Sequence, residues 1–415
     1  MSATDQTTRT WHERALLTTP AGVHSNARLI GRETVFTHGT GPWLFDTAGN
    51  RHLDYMIGRG PAFLGHAPQQ ILDAVMQACS AGLTLGGSTT LEIEAAELAL
   101  SVIPWADRIR FVSTGTEAVQ SALRLARAAT GRPLIVQFVG QYHGWIDNVS
   151  LVPTVDGGAA PATGGQSPTS GQHTLLLPWN DAAAVDAAFA EHGTNIAAVI
   201  TEPVSIFESV APLPGYLAHL RAVTNAHGSV LIFDEVVTGF RLAPGSAAAI
   251  VGVEPDIAVY AKAMGSGWPV AAIAGGEVFF HGVDTDRVRL SGTYNANTAS
   301  AAAVRATVMA TADGELHRST NRWGTGLMRA LESAAAAQGV HVRCEGYPTA
   351  FWLTFDGVDS PTSHHLAETL GTLLRQERVI QYHHTWLPTT THDDEALEIT
   401  VAAFGRALKR LTAAS

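Results

Sequence analysis

The sequence predicts an α/β fold with a mainly parallel sheet, and three observations support this prediction. Short apolar runs alternate with segments of helical periodicity along the middle of the chain, as in successive βαβ units. The runs are apolar at consecutive positions, which is typical of strands covered on both faces. Each run ends at polar side chains, where open α/β sheets bind their ligands. The runs span residues 109–112, 134–139, 197–200, 230–233 and 257–260.

Composition narrows the class of protein. The chain has 415 residues, of which 46% are hydrophobic and 15% charged, so it predicts a globular protein of two or three structural units. A net charge of −11 argues against a nucleic-acid or anionic-membrane partner. No apolar stretch approaches the roughly 20 residues that span a bilayer, and residues 1–14 lack the apolar segment of a signal peptide. Two cysteines, Cys79 and Cys344, offer no disulfide framework, so a cytoplasmic location is expected.

The segments on either side of the central runs predict a hairpin and several helices. Two short strand-like stretches surround Ala48-Gly49-Asn50 within residues 43–55, which is a hairpin pattern. Residues 156–172 are rich in Gly, Pro, Ser and Thr and have no periodicity, so they predict either an inert linker or a lid over a binding site. Apolar spacing predicts helices at 69–81, 91–102, 299–312, 363–377 and 394–411, and a further strand at 350–355.

Asp234 directly follows the apolar run 230–233, at the point where a sheet of this kind would hold a cofactor. The alternative is a structural carboxylate that caps the next element or pairs with Arg241. From this stretch alone, both interpretations are open.

A second stretch, Ser113-Thr114-Gly115-Thr116-Glu117, lies between a predicted strand and a predicted helix. The T-x-x-E spacing is a capping box. Its helix N-terminus presents backbone N–H groups to an anion, as a phosphate cradle does. The alternative is an ordinary capped helix without a ligand.

Lys262 follows the apolar run 257–260 and precedes residues 263–269, which are too irregular for a helix or strand. Apolar walls lower the pKa of a lysine and free its neutral amine, which forms Schiff bases with aldehydes. Taken alone, Lys262 would more simply extend to the surface from a strand end. Together with Asp234, the cradle and an aromatic ring at Tyr142, it describes a pyridoxal phosphate site.

No metal centre is predicted from the sequence. The chain has 18 histidines, but no HExxH or comparable spacing occurs among them. Most are therefore expected on loops or on the surface.

Six ordered motifs make the chain resemble the class III pyridoxal-phosphate-dependent aminotransferases over nearly its whole length. Within that family it is most similar to glutamate-1-semialdehyde aminomutase and its relatives. The motifs are F-V-S-T-G-T-E-A, R-L-A-R-A-x-T-G-R, Y-H-G-W-x-D, L-I-F-D-E-V-x-T-G-F-R, P-D with a lysine six residues after the aspartate, and S-G-T-x-N-x-N.

The resemblance implies a fold and a cofactor site. The fold is that of the type I pyridoxal-phosphate-dependent transferases. It has a large domain at 61–310, with a mainly parallel sheet of the seven-stranded type, and a small α+β domain from 1–60 and 311–415. Lys262 would form the internal aldimine and shuttle protons, and Asp234 would bind the pyridine N–H. The remaining cofactor residues implied are Ser113, Thr114, Gly115 and Thr116 at the phosphate, Tyr142 and Val236 on the two ring faces, and His143 and Glu202 nearby.

The resemblance also implies a homodimer with shared active sites, because Thr293 would reach the phosphate of the neighbouring subunit. Arg28 matches the arginine that receives the substrate carboxylate. Two departures distinguish the chain from the aminomutase pattern. Gly58-Arg59-Gly60-Pro61 replaces S-W-G-P, and residues 382–386, Y-H-H-T-W, replace a segment with an acidic residue. A transaminase of secondary metabolism therefore fits better than the haem-pathway aminomutase.

Arg59 prompts a further hypothesis. With Arg28 it would form a dicationic pocket for a carboxylate, such as that of a diacid or a β-amino acid. The alternative is that Arg59 points to solvent or to the dimer partner. His383 and His384 could also face the substrate, although exposed strand histidines are the simpler interpretation.

Three functions are consistent with these residues. The leading one is an aminotransferase that moves an amino group from an amino acid or amine to a keto acid or aldehyde, with the amino group held as pyridoxamine phosphate. The second is an intramolecular aminomutase, or a racemase or decarboxylase. The third is a non-catalytic cofactor-binding module, which is disfavoured because no basic helix-turn-helix segment precedes the fold and Lys262 is intact.

Overall fold

The computed structural model describes residues 9–155, 157–206, 208–382 and 384–413. In chain order the strands are β1 (Phe36–Thr40), β2 (Trp43–Asp46), β3 (Arg51–Asp54), β4 (Arg108–Val112), β5 (Leu134–Phe138), β6 (Leu151–Pro153), β7 (Ala159–Pro161), β8 (Thr174–Leu177), β9 (Ile196–Thr201), β10 (Val230–Glu235), β11 (Ile257–Tyr260), β12 (Ala271–Gly275), β13 (Val342–Tyr347), β14 (Ala350–Phe355), β15 (Val379–Ile380) and β16 (Thr385–Trp386). The helices are α1 (Trp11–Thr18), α2 (Gln69–Ser80), α3 (Thr90–Ser101), α4 (Gly115–Thr130), α5 (Ala182–His192), α6 (Tyr216–His227), α7 (Ala248–Val251), α8 (Glu277–Asp284), α9 (Thr298–Thr311), α10 (Glu315–Ala336), α11 (Ser360–Gln376) and α12 (Asp394–Ala413).

The central sheet has seven strands in the order β4-β12-β11-β10-β9-β5-β8. Its neighbouring strands are parallel from β11 to β8, and β12 runs antiparallel to both β11 and β4. The predicted α/β class and all five predicted strands are therefore confirmed. Because β4 and the parallel strands run in the same direction, their carboxyl ends meet at one edge of the sheet.

Helices cover both faces of this sheet, as the apolar runs predicted. Leu231 and Phe233 of β10 pack into one buried cluster with α2, α3, α5, α6 and α9, while Val230 and Ile232 pack into another with α4 and α8. Successive side chains of a strand point to opposite faces, so a strand buried on both sides must be apolar at every position.

A smaller unit combines the two ends of the chain. The hairpin of β2 and β3 is confirmed, and β15 adds to it in parallel, with Leu53 opposite Val379. Leu53 and Tyr55 share one buried cluster with α10, α11 and α12. This packing supports the small domain at 1–60 and 311–415 and the large domain at 61–310, which we retain as a proposal.

The segment 156–172 is less irregular than its composition predicted. Strand β7 pairs antiparallel with β6, with Leu151 opposite Pro161, and forms a two-stranded ribbon. A strand of three residues is too short to leave a periodic pattern in the sequence. Asp156 lies outside the described residues. Among the described helices, none combines the length and the apolar character that a membrane crossing requires.

Candidate active site

The carboxyl edge of the central sheet brings together the polar residues that follow β4, β5, β9, β10 and β11. The approach is close enough that a Cβ atom added to Gly115 would lie 3.0 Å from Val236 Cγ2 and 3.8 Å from Ala261 Cβ. The N-terminus of α4 therefore packs directly against the ends of β10 and β11. A Cβ atom at position 115 would require the Val236 side chain to shift by a few tenths of an ångström.

Asp234, at the end of β10, is buried with 4% of its surface exposed. Its Oδ2 atom lies 2.8 Å from Nδ1 of His143, and its Oδ1 atom accepts a hydrogen bond from the Val236 N–H at 3.1 Å. Arg241 donates instead to the carbonyl of Gly60 at 2.5 Å and to two further backbone carbonyls. The alternative pairing of Asp234 with Arg241 is therefore wrong.

His143 is also buried, and it connects Asp234 to the loop after β5. Its second nitrogen, Nε2, is enclosed and has no hydrogen-bond partner among the described residues. In the single chain His143 thus contacts the carboxylate beneath the site. This contact restricts the orientation of the Asp234 carboxylate.

Lys262 begins a 3₁₀ turn, Lys262–Gly265, directly after β11. Its φ of +47° is in the left-handed region, which a non-glycine residue adopts at a cost of about 1–3 kcal/mol and mostly at functional sites. Burial lowers the pKa of Lys262 to about 8, opposed by the carboxylates of Asp234 and Glu202, although part of the side chain reaches solvent. Near neutral pH a usable fraction of the amine is therefore uncharged.

Glu202, after β9, is buried and accepts the backbone N–H of Tyr142 at 3.0 Å through Oε1. Burial raises the pKa of Glu202 to about 7, and the charge of nearby His143 opposes this effect. Gln141 holds the backbone at this point, because its Oε1 atom accepts the Glu202 N–H at 2.9 Å. The sequence analysis did not identify Gln141, although it lies in the loop that contains Tyr142.

The predicted phosphate cradle has the expected capping geometry. Thr114 Oγ1 accepts the Glu117 N–H at 3.2 Å, and Glu117 Oε2 accepts the N–H groups of Thr114 and Ser113 at 2.9 and 3.1 Å. Within the described parts of the chain, the N–H groups of Gly115 and Thr116 have no protein acceptor. The side chain of Thr116 faces Gly144, where an added Cβ would lie 2.7 Å from Thr116 Oγ1. These groups lie where an anion would bind.

Tyr142 and Val236 both follow strands that end at this edge of the sheet, β5 and β10. Tyr142 is 56% exposed in the single chain, and burial of its remainder raises the pKa of its hydroxyl, with a contribution from Asp234. Val236 packs partly into the cluster beneath α4.

Arg59 lies near Lys262 and stacks on the ring of Tyr382. Its Nη1 atom donates to the hydroxyl of Tyr382 at 2.8 Å, its guanidinium carbon lies 4.5 Å from the centre of the Tyr382 ring, and Nη2 donates to the carbonyl of Ala27. Burial lowers the pKa of Arg59, and Arg28 is close enough to lower it further. The side chain therefore faces the site and not the open solvent, and Arg28, which is exposed, lies beside it.

No role was predicted for Tyr382, the residue on which Arg59 stacks. The available signal was the replacement of the acidic segment of the family pattern by residues 382–386. His384, in the same segment, is buried with 3% exposure, so the expectation of an exposed histidine is wrong there. The ring of His364 on α11 covers it at 4.1 Å. His383 lies outside the described residues.

Thr293 lies in an exposed turn before α9. Its predicted contact is with a neighbouring subunit, so the single chain does not test it, and that contact stays a prediction.

Taken together, these groups fit pyridoxal 5′-phosphate. The open N–H groups of Gly115 and Thr116 suit its phosphate, the buried carboxylate of Asp234 suits its protonated ring nitrogen, and the amine of Lys262 suits its aldehyde. The Nε2 atom of His143 and the Oε2 atom of Glu202 are enclosed beside this space without a hydrogen-bond partner among the described residues. Fold and site together define a pyridoxal-phosphate-dependent enzyme of fold type I.

Comparison with known proteins places the chain within this class. The model of the class III aminotransferase family matches residues 28–404, and the chain belongs to that family. Glutamate-1-semialdehyde 2,1-aminomutase from Bordetella avium is 37% identical over 92% of this chain and 90% of its own length. These findings confirm the resemblance, the enzyme class and the cofactor predicted from the sequence.

Solved structures agree with this assignment. An omega-transaminase from Sphaerobacter thermophilus superposes with a TM-score of 0.91 at 28% identity, covering 99% of this chain and 98% of that one. A β-phenylalanine aminotransferase from Variovorax paradoxus superposes with a TM-score of 0.85 at 26% identity, covering 97% and 93%. The fold type I architecture is therefore confirmed.

Proposed function

We propose that this class III aminotransferase takes its amino group from a substrate that also bears a carboxylate, and that Arg59 and Arg28 bind this carboxylate. The observation that supports the proposal most directly is the position of Arg59. A Cβ atom added to the next residue, Gly60, would lie 3.3 Å from Cδ of Lys262, so the backbone that bears Arg59 contacts the stem of the lysine. In a substrate whose carboxylate is bound here, the amino group near Lys262 would be only a few bonds away from that carboxylate.

The backbone of Arg59 supports the same proposal. Its φ of +73° places a non-glycine residue in the left-handed region, as at Lys262. Such a conformation persists only where the surroundings enforce it, and it is concentrated at binding sites. Two cations, Arg28 and Arg59, would also repel each other unless an anion lay between them.

Each residue at the sheet edge has a proposed task. Pyridoxal phosphate, when bound, supplies a ring that withdraws electrons from the substrate carbon that bears the amino group. Lys262 would accept the proton from that carbon and deliver it to the cofactor carbon that carried the aldehyde, and it would move the proton the other way in the second half-reaction. Asp234 accepts a hydrogen bond from a ring N–H, and His143 holds the Asp234 carboxylate in place at 2.8 Å.

The other residues would orient the cofactor and enclose its phosphate and ring. Gly115 and Thr116, with Ser113 and Thr114, hold the phosphate, while Tyr142 and Val236 hold the two ring faces. Glu202 lies next to the same space and fixes the loop of Tyr142 through its backbone N–H at 3.0 Å. Because its pKa is about 7, Glu202 can hold or release a proton near neutral pH.

We also propose that the enzyme is a homodimer with shared active sites. Thr293 is followed by Tyr294, which is 64% exposed, and α9 is joined to the segment of Leu83 by a bond from the Thr298 N–H at 3.1 Å. Leu83 and Leu85 are 48% and 60% exposed, so an apolar surface lies next to the turn of Thr293. A second subunit covering this surface would bring Thr293 to its neighbour's phosphate site. Light scattering of the purified holoenzyme measures this assembly.

The proposal places the enzyme in the cytoplasm and in secondary metabolism. The two cysteines, Cys79 and Cys344, are both free, as in a reducing compartment. The substitution of Arg59 and of residues 382–386 for the aminomutase pattern supports a role outside haem synthesis.

A screen of amino donors against keto and aldehyde acceptors, with chromatography of the products, tests the proposed function. We expect turnover with amines that bear a carboxylate, and a keto product in an amount equal to the enzyme when no acceptor is present. The relationship to aminomutases favours a second candidate, intramolecular transfer. Catalytic conversion of glutamate 1-semialdehyde without any acceptor would support that candidate and contradict ours.

A further inference from the structure

Three side chains, two on α11 and one in the segment just before β16, form a cluster that the proposed reaction does not use. His364 and Glu368 lie on α11, and His384 lies just before β16. One potential ligand atom from each lies within 4.8 Å of the other two. We propose that these three residues form a binding site for a divalent transition metal of the zinc type.

The helix supplies two of the three ligands. His364 and Glu368 are four residues apart on α11, so both side chains lie on the same face of the helix. This is the spacing by which helices present two ligands to zinc. The third ligand comes from outside the helix, with the His364 and His384 rings 4.1 Å apart and inclined at 69°. Inclined rings allow a nitrogen of each to point to a common centre.

The chemistry of the three ligands indicates which ion binds. Two imidazoles and one carboxylate are a ligand set of zinc, with a water molecule in the fourth position. Tetrahedral bonds of 2.0–2.1 Å place ligand atoms about 3.4 Å apart. Glu368 is exposed and His384 is buried, so one ligand is held in place and another is free to close onto the ion. Magnesium and calcium prefer oxygen ligands and would bind weakly here.

The cluster opens onto a cavity of about 330 Å³ that His364 and His384 both line. Glu208 and Asp356 line the same cavity, and their carboxylates favour a cation. Arg343 is the opposing charge, but it is paired with Asp356 and Glu345, each at 2.8 Å. The cavity therefore provides water for the fourth position and a route for the ion.

A bound ion would connect three parts of the molecule. His384 precedes Thr385, whose hydroxyl donates to the carbonyl of Ile206 at 3.2 Å. The segment of His384 therefore already contacts the loop that follows β9. His364 and Glu368 would then attach α11 to the same segment. The sequence predicted no metal centre because the third ligand lies 16 residues after Glu368 (384 − 368) and belongs to no spacing motif.

Equilibrium dialysis of the untagged holoenzyme against Zn²⁺, with bound metal measured by mass spectrometry, tests the site. We expect one saturable Zn²⁺ per chain in the wild type. His364→Ala and Glu368→Ala, which change partly exposed and exposed residues, should each lower the affinity by about tenfold or more. His365→Ala is the matched control, because His365 is the adjacent, exposed histidine of the same helix and lies outside the cluster.

Three results would overturn the proposal. The first is a wild type without a saturable Zn²⁺ site. The second is an affinity that both His364→Ala and Glu368→Ala leave unchanged. The third is a loss in His365→Ala as large as that in His364→Ala, which would mean that the histidines of α11 bind zinc without the cluster. A change at the buried His384 could unfold the protein, so the test uses only the two more exposed ligands, His364 and Glu368.

Discussion

The two sides of the proposed active site are built differently. On the side of the sheet, Asp234, His143 and Glu202 are buried and joined by hydrogen bonds to one another or to the backbone. On the arginine side, Arg28 is exposed and ends a short 3₁₀ turn, Asn26–Arg28, while Arg59 is only partly buried and lies in a turn. The sheet side holds its polar groups buried in one arrangement, whereas the arginine side is partly open to solvent.

This difference separates two kinds of function. A rigid, buried carboxylate is suited to a cofactor whose chemistry is the same in every turnover. A partly buried arginine stacked on Tyr382 is suited to selecting among substrates, because its neighbours differ from the family pattern. We therefore expect changes on the sheet side to abolish the reaction, and changes on the arginine side to alter which substrate reacts.

The largest effect should follow Lys262→Ala. We expect turnover to fall by about a thousandfold or more, since both the covalent link and the proton transfer depend on this amine. The visible absorption band of the lysine-bound cofactor should disappear as well. Lys409, the only other lysine in the sequence, is exposed on α12 and provides the matched control, Lys409→Ala. A visible band retained in Lys262→Ala and lost in Lys409→Ala would reverse the assignment.

Asp234→Asn should have the next largest effect. The amide keeps the shape of the side chain but not the charge that stabilises a protonated ring nitrogen, so turnover should fall about 100-fold or more and cofactor affinity should fall with it. The variant should stay folded. Asp256→Asn is a control from the other end of β11, where the carboxylate binds Arg221 at 2.9 Å, and it should cost stability with little loss of turnover. A fully active Asp234→Asn enzyme would contradict the proposed role.

Arg59→Ala tests the arginine side. Loss of a charge-assisted contact of about 1.5–3 kcal/mol should raise KM for a carboxylated amine roughly 10- to 100-fold. KM for a matched amine without the carboxylate should stay the same. Arg59→Lys keeps the charge but not the planar stack on Tyr382. Its KM for the carboxylated amine should therefore lie between those of the wild type and Arg59→Ala. Equal KM values for both amines in all three proteins would show that Arg59 does not bind the carboxylate.

The pH dependence of cofactor capture tests the electrostatics of Lys262. Its pKa is about 8, so the neutral amine increases as pH rises, and the rate at which the apoenzyme captures pyridoxal phosphate should increase about tenfold from pH 7 to pH 9. Glu202 raises the pKa of Lys262, so Glu202→Gln should move the midpoint to lower pH. A rise of about 100-fold with no levelling off would indicate the ordinary lysine pKa near 10.5 and would contradict the lowered value.

The sheet side could be predicted from the sequence and the arginine side only in part. Asp234, Thr114 and Lys262 each follow an apolar run within two residues, so local pattern and sheet topology together bring them to one edge. Strands β8 and β12 were not predicted, because both are short and neither has a pattern typical of a strand. Strand β8 has four residues, mostly leucine, and β12 has five, mostly alanine. Arg59 and Tyr382 are 323 residues apart, and only the packing of the two chain ends brings them into contact.

The smallest of these effects should follow Tyr382→Phe, which leaves the ring beneath Arg59 and removes only its hydroxyl. That hydroxyl accepts a hydrogen bond from Arg59 Nη1 at 2.8 Å, and it would act on the substrate only by orienting the guanidinium, so only part of a charge-assisted contribution, about 0.5–1.5 kcal/mol, should be lost. KM for a carboxylated amine should therefore rise about two- to tenfold, with kcat nearly unchanged. Tyr347→Phe, at a tyrosine of β13, is the control and should leave KM unaltered.

The pair can be tested further in the double variant Arg59→Ala/Tyr382→Phe. If Tyr382 acts by orienting the guanidinium, its removal should cost nothing once Arg59 is absent, and the two effects should not add. Additive effects would show that Tyr382 contacts the substrate independently. In that case selection on this side would depend on an aromatic hydroxyl as well as on the two arginines, and Tyr382→Phe would also raise KM for the amine without a carboxylate.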